Sequence, residues 1–257
     1  MRRALHAEWT KLRTVPAPAG LALAVVVLTV GVGALVAATA HANVGGDHDP
    51  VHLGLTGLDA GQAAAAALGV LAVAGEYANG LIRTTLVAIP QRLVVLASKA
   101  ALLTGIVAVA AVVAVLASLL AARLLLPGGG FTAAHGFALV CLADSTTLRA
   151  AVGSVLYLVL IGWLGLGVAA AVRDTAAATG IVLGLLYLFP LLSAAVADPH
   201  WHRHLEQIGP MTAGQLITAT TDLPSLSLSP WQGLGVLAAW ALGALVVGGA
   251  VFNLRDA

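Results

Sequence analysis

The apolar runs of this chain predict an all-α integral membrane protein: a bundle of six transmembrane helices preceded by an amphipathic helix lying in the membrane interface. Three observations carry that expectation. Of 257 residues, 60% are hydrophobic and only 9% are charged, whereas soluble globular chains run near ~25% charged. Mean hydropathy is +1.00. Six stretches approach the length of roughly 20 apolar residues that crosses a hydrocarbon core about 30 Å thick. With 12 basic and 11 acidic residues, the chain cannot clothe a soluble surface. A soluble enzyme, a disordered tail and a nucleic-acid-binding protein are thereby excluded.

The expected spans are Pro18 to Ala40, Ala60 to Gly75, Ala100 to Leu126, Ala150 to Val172, Ala176 to Ala197 and Trp231 to Phe252. Together they make residues 1–257 one domain. The second is short and carries Gln62, so it must continue past Gly75 or thin the bilayer. Basic residues set the orientation. With the N-terminus inside, Arg2, Arg3, Lys11, Arg13, Arg83, Arg92, Lys99, Arg173 and Arg255 are cytoplasmic, against Arg123, Arg149 and Arg203 outside. Both termini are therefore expected in the cytoplasm. Ala40-His41-Ala42 resembles a signal-cleavage site, but the basic region and apolar run before it are too long for a signal peptide. The single Cys141 leaves the outer loops without an intramolecular disulfide. Asp47, Asp49 and Asp59 read as solubilising residues of the first outer loop.

Residues 1–16 contain Leu5, Trp9 and Leu12, a narrow apolar stripe at helical spacing, with Glu8, Lys11 and Arg13 around it. This suits a cytoplasmic interfacial helix anchored by Trp9. The competing reading is a basic tail that only sets orientation. At the other end of the chain, the outer segment 198–230 is long enough for a short surface helix, and Leu223 to Pro230 reads as an extended linker.

No ionisable residue falls in the middle of a span, as proton-coupled carriers require. No His-Glu-x-x-His helix and no Walker loop is present. The chain is thus expected not to be an enzyme. If it moves a substrate uphill, another polypeptide must supply the energy. Gly180 and Gly184 have small-x-x-x-small spacing, which serves either packing within the bundle or a subunit interface.

The segment 76–92 after the second span is the most informative. Glu76, Gly80 and Arg83 share one face if the helix persists, Ile82 and Leu86 repeat at helical spacing, and Pro90 forces a turn before Arg92 and Lys99. Such an amphipathic segment suits either lipid or a groove on a partner protein.

This stretch resembles the signature of permease subunits of type-2 ATP-binding-cassette exporters, the class that includes daunorubicin-type multidrug exporters. The residues that carry the resemblance are Glu76, Gly80, Ile82, Arg83, Thr84, Thr85, Leu86, Pro90 and Arg92, with Lys99 in the next helix. Glu8-Trp9-Thr10-Lys11-Leu12-Arg13-Thr14 and Pro230-Trp231-Gln232-Gly233-Leu234 are similar to the two ends of actinobacterial members. The resemblance implies a multi-pass protein of the bacterial inner membrane that exports a hydrophobic or amphipathic compound. It implies that 76–92 docks on a separate ATPase, present in two copies, which holds the ATP and magnesium. This chain itself then needs no cofactor, and a second permease, as a homodimer, encloses the path. The alternative class is a non-transporting membrane partner or assembly protein, and after it a membrane enzyme.

His200, His202 and His204 alternate and could share one strand face as metal ligands. No carboxylate at suitable spacing completes such a site, and a solvated loop is the expected reading.

Overall fold

The computed structural model describes residues 16–42, 49–78, 80–81, 87, 91–132, 137, 140–196 and 198–254. The expected interfacial helix, with Leu5, Glu8, Trp9, Lys11, Leu12 and Arg13, lies outside the described residues. So do Ile82, Arg83, Thr84, Thr85, Leu86 and Pro90 of the 76–92 segment.

Nine helices are described: α1 Pro16–Thr39, α2 Pro50–Leu55, α3 Leu58–Ala78, α4 Arg92–Leu125, α5 Ser145–Val172, α6 Thr175–Ala195, α7 Pro199–Ile208, α8 Pro210–Gln215 and α9 Pro230–Leu254. Six of them, α1, α3, α4, α5, α6 and α9, are long and apolar enough to cross a bilayer. The protein is an all-α, multi-pass membrane bundle. Five helices begin at proline (α1, α2, α7, α8 and α9), where the missing N–H is an orphan in any case and the ring pre-sets the helical φ. Asp49 and Asp198 cap two of these starts, each carboxylate accepting backbone N–H bonds from the first turn.

The second span does continue past Gly75. At 21 residues, or about 31 Å at 1.5 Å per residue, α3 crosses without thinning the bilayer. At its end, Gly80 has φ +66 and its N–H donates to Tyr77 O at 3.2 Å. The helix therefore does not persist to Gly80, and Glu76 and Gly80 do not share a helix face. Gly80 is the turn residue, since only glycine takes that φ without steric cost.

The central helix is α5, with Leu158, Ile161, Leu164 and Leu166 almost wholly buried. It packs on α3 through Gly165, where an added Cβ would stand 2.5 Å from Ala66 O, and on α9 through the pair Gly167 and Gly248, which leaves no room for a Cβ. Without water to drive helix association, such close backbone contact supplies the dispersion energy. Gly180 and Gly184 behave differently: a Cβ at either would meet nothing within 4 Å, so they do not serve packing within the bundle.

The bundle has two ends. The near end holds the end of α3 and the start of α4, the Arg173–Asp174 turn, the start of α1 and the end of α9. The far end holds the described residues of 40–57, 126–144 and 196–229. At the far end the 198–230 segment does more than lie on the surface. Helix α8 and the 3-10 turn Leu216–Thr218 turn back into the bundle, with Pro210, Met211, Ala213, Gly214, Ile217 and Thr218 buried. Gly214 permits this, because an added Cβ would meet the Tyr157 ring at 2.8 Å. Beyond Asp222, a 3-10 turn Leu223–Ser225 interrupts what the sequence suggests is a fully extended linker.

Candidate functional site

The near end brings the two ends of the 76–92 segment together. Glu76 stands in the last turn of α3 and Lys99 two turns into α4. Lys99 Nζ lies 2.8 Å from Glu76 Oε1, with side chains only 4% and 10% exposed. The structure joins Glu76 to Lys99 across the antiparallel ends of α3 and α4, whose adjoining faces meet at these two positions. A pair this dry is costly to assemble. Once made, it is costlier to break, since the remaining charge would be left buried.

Tyr77, next to Glu76, connects this clasp to two other helices. Its ring carries the Arg173 guanidinium at 5.2 Å from the centroid and meets Phe252 edge-on at 6.5 Å. Arg173 occupies the left-handed position that ends α5, at φ +64, and Asp174 then caps α6 through Ala177 N at 2.7 Å. Both arginines reach the last turn of α9. Arg92 Nη1 donates to Phe252 O at 2.8 Å, and Arg173 Nη2 donates to Val251 O at 3.3 Å. Guanidinium groups there satisfy orphan carbonyls and sit at the negative end of the helix dipole. The ends of α3, α4, α5 and α9 are thus tied into one unit around the base of the 79–91 connection.

Sequence reasoning marked Glu76, Gly80, Arg92 and Lys99 and missed Tyr77, Arg173 and Phe252 as members of the cluster. An aromatic beside a buried carboxylate and an arginine in a two-residue turn are the available signals. Their partners lie on helices remote in sequence.

Among the described residues, the far end is closed without an ion pair between elements. Gln62, read in the sequence as a blemish in an apolar span, is fully buried. Its Oε1 accepts the hydroxyl of Tyr157, also fully buried. Its Nε2 donates to Asp59 O at 3.2 Å and Met211 Sδ at 3.0 Å. Gln215 donates to the Asp59 carboxylate, and Tyr187 donates to Asp59 O at 2.5 Å.

A second knot surrounds Asp49. Beyond capping α2, its carboxylate accepts Thr220 Oγ1 at 2.7 Å, Thr221 N at 3.1 Å and Thr220 N. His52 Nδ1 meets Thr218 Oγ1 at 2.8 Å, and Arg149 donates to Ala219 O. Burial alone would push the Asp49 carboxyl up. The bonds from Thr220, His52 and Thr221 outweigh it and hold the group below the usual carboxylate range. Asp49 and Asp59 are therefore structural acceptors and not merely solubilising charges.

The histidine run is helical, not a strand. In α7, His200 and His204 meet edge-on one turn apart, at 4.5 Å between ring centroids. His202 turns inward, its Nδ1 2.9 Å from Ser193 O and its Nε2 3.2 Å from Glu206 Oε1. The three rings do not converge, and no cluster of three or more metal-ligating side chains occurs among the described residues.

No family model matches the chain, and no curated protein matches it. The fold and the two ends define its class as an all-α, multi-pass membrane protein.

Proposed function

We propose that this chain is the permease subunit of an ATP-binding-cassette exporter, working as a pair of identical copies with two copies of a separate ATPase that holds ATP and magnesium. The cargo is a hydrophobic or amphipathic compound, and the near end is cytoplasmic. The observation that supports this reading is the clasp at the base of the 79–91 connection. A loop docked on a moving ATPase transmits force only if its two ends cannot separate. The Glu76–Lys99 pair at 2.8 Å joins those ends, and the Tyr77–Arg173–Phe252 contacts carry the joint to α5 and α9. Segment 76–92 is then the coupling element, with Ile82, Leu86 and Arg83 as the groups offered to the ATPase.

Changing Arg83 to Glu, or Ile82 and Leu86 together to Asp, leaves membrane insertion intact, abolishes transport and reduces co-purification of the ATPase. Normal export by these variants with the ATPase still bound refutes the coupling role. Cysteine labelling in sealed cells tests the orientation. Substitutions at positions 48, 135 and 204 are reached from outside, and those at 8, 88 and 256 are not.

A further inference from the structure

We propose that the groove between α6 and α9 is a site for one anionic phospholipid, with an acyl chain in the groove and the headgroup on α7. Two independent features of the molecule meet there. The first is the groove itself, about 920 Å³, floored by Leu164 of α5, walled by Gly180 and Gly184 of α6 and by Trp240 and Gly243 of α9, with Ile208 of α7 at its mouth. A Cβ at Gly180, Gly184 or Gly243 would meet nothing within 4 Å. These glycines hollow the surface without bringing helices together. Along α9 the lining runs from Val236 to Val247, about 16 Å at 1.5 Å per residue. That is close to the ~15 Å depth of one leaflet's hydrocarbon.

The second feature is the exposed arc of α7, which grades around the helix from Trp201 and Ile208, 63% and 52% exposed, through His204 and His200 to Arg203, all exposed. The arc is apolar at one edge and carries the Arg203 guanidinium at the other, with Glu206 beyond it held 3.2 Å from His202, an arrangement that suits a helix at the headgroup boundary. Helix α7 also slants inward. It leaves the end of α6 at Pro199 and finishes at Gly209, where an added Cβ would lie 2.8 Å from Phe189 Cβ. Phe189 is six residues short of the end of α6, about 9 Å deeper along its axis. Trp240 Nε1 holds Ile208 O there at 2.9 Å. Arg203 and His204 therefore stand one turn above Gln207 and Ile208 at the groove mouth, where a phosphate would sit if its acyl chain filled the groove. With Glu206 engaged by His202, the Arg203 guanidinium is the charge on this arc that favours an anionic headgroup.

The test uses the full chain in nanodiscs of equal parts phosphatidylcholine and phosphatidylglycerol, with native mass spectrometry counting the lipids retained after release. The wild-type chain retains phosphatidylglycerol over phosphatidylcholine by about fivefold, the preference expected of one basic residue near a headgroup. Gly184→Leu fills the groove and loses the retained lipid of both kinds. Arg203→Gln with His204→Gln keeps a lipid but retains the two kinds in the bilayer's ratio. Gly180→Leu, one turn away, fills the same space and serves if Gly184→Leu melts early. Lipid retained by both leucine variants as in the wild type overturns the proposal, as does retention by the wild type in the bilayer's ratio. Loss of a dimer on filling the groove, with retained lipid unchanged, also overturns it and assigns the groove to a second copy.

Discussion

The two ends of the bundle are closed by different chemistry. Among the described residues, the near end is held by charge: the buried Glu76–Lys99 pair, an arginine on a tyrosine ring, and two guanidinium groups on the terminus of α9. The far end is held by a re-entrant piece of chain whose neutral side chains and amides hydrogen-bond to backbone, to Gln62 and Tyr157, and to the carboxylates of Asp49 and Asp59. A neutral hydrogen bond is short-ranged and fails once its geometry is lost, so the far end is suited to staying shut. A buried charge pair acts over a longer distance in a dry setting. It holds two helix ends together through small displacements, as the proposed coupling to an ATPase requires.

The largest expected effect tests the near end. Lys99→Met removes the ammonium 2.8 Å from the buried Glu76 carboxylate, and unfolding in mixed micelles followed by tryptophan fluorescence should show a loss of about 3–5 kcal/mol. Replacing both partners, Glu76→Leu with Lys99→Met, should recover most of that stability, because the desolvation of both charges is removed with their attraction. Under the proposed function this double variant nonetheless fails in transport, since its loop ends are no longer clasped. Equal stability of Lys99→Met and the wild type would mean that the pair is solvated and that the contrast between the ends is false.

At the far end, Gln62→Leu removes the acceptor of the Tyr157 hydroxyl in a fully buried position. The expected loss is about 1–3 kcal/mol, smaller than at the near end because no charge is stranded. Adding Tyr157→Phe should return part of the loss, and a double-mutant cycle measures how much of it belongs to the pair. A cycle that closes at zero would show that the two side chains act independently.

The six spans were legible because run length and hydropathy are local properties. The pairing of Glu76 with Lys99 was not, because it depends on the rotational phase of α3 against α4. The helical state of the histidine run could have been found: Asp198-Pro199 is a cap followed by an N1 proline, a stronger signal than the alternation of His200, His202 and His204. The inward turn of α8 also left a trace. Residues 207–221 contain no charged side chain, which is unusual for a loop wholly in water. Gln62 stood out as an anomaly in an apolar run, but its purpose lay in Tyr157 on another helix.

The second far-end knot gives a smaller effect with a defined pH dependence. Asp49→Asn presents an amide to donors that a carboxylate satisfied, at an expected cost of about 1–2 kcal/mol. In the wild type the carboxyl is held below its ordinary value of 3.8. Its contribution is therefore fully present above that value and is lost as pH falls through the lower, folded value. Thermal melting should show no Asp49-dependent change between about pH 5 and pH 8, both well above the carboxylate range. The difference between wild type and Asp49→Asn should narrow only in strong acid. A difference that grows toward acid pH would reverse the sign and reject the hydrogen-bonded carboxylate.

The smallest effect concerns the two arginines on the end of α9. Each donates to a different carbonyl of the same last turn, Arg92 to Phe252 and Arg173 to Val251, and each complements the same helix terminus. Removing one leaves the other in place, so Arg92→Gln should cost only about 0.5–1 kcal/mol, the scale of a cation at a helix C-terminus. Arg173→Gln should cost somewhat more, because the cation over Tyr77 is lost with it. If the two share one terminus, the double variant loses more than the sum of the singles, since the last turn then has neither guanidinium to hold it and frays. Hydrogen exchange of the amides of residues 248–254 would report that fraying directly. Strict additivity, with no added exchange in the double variant, would show two independent contacts and a near end less unified than its geometry indicates.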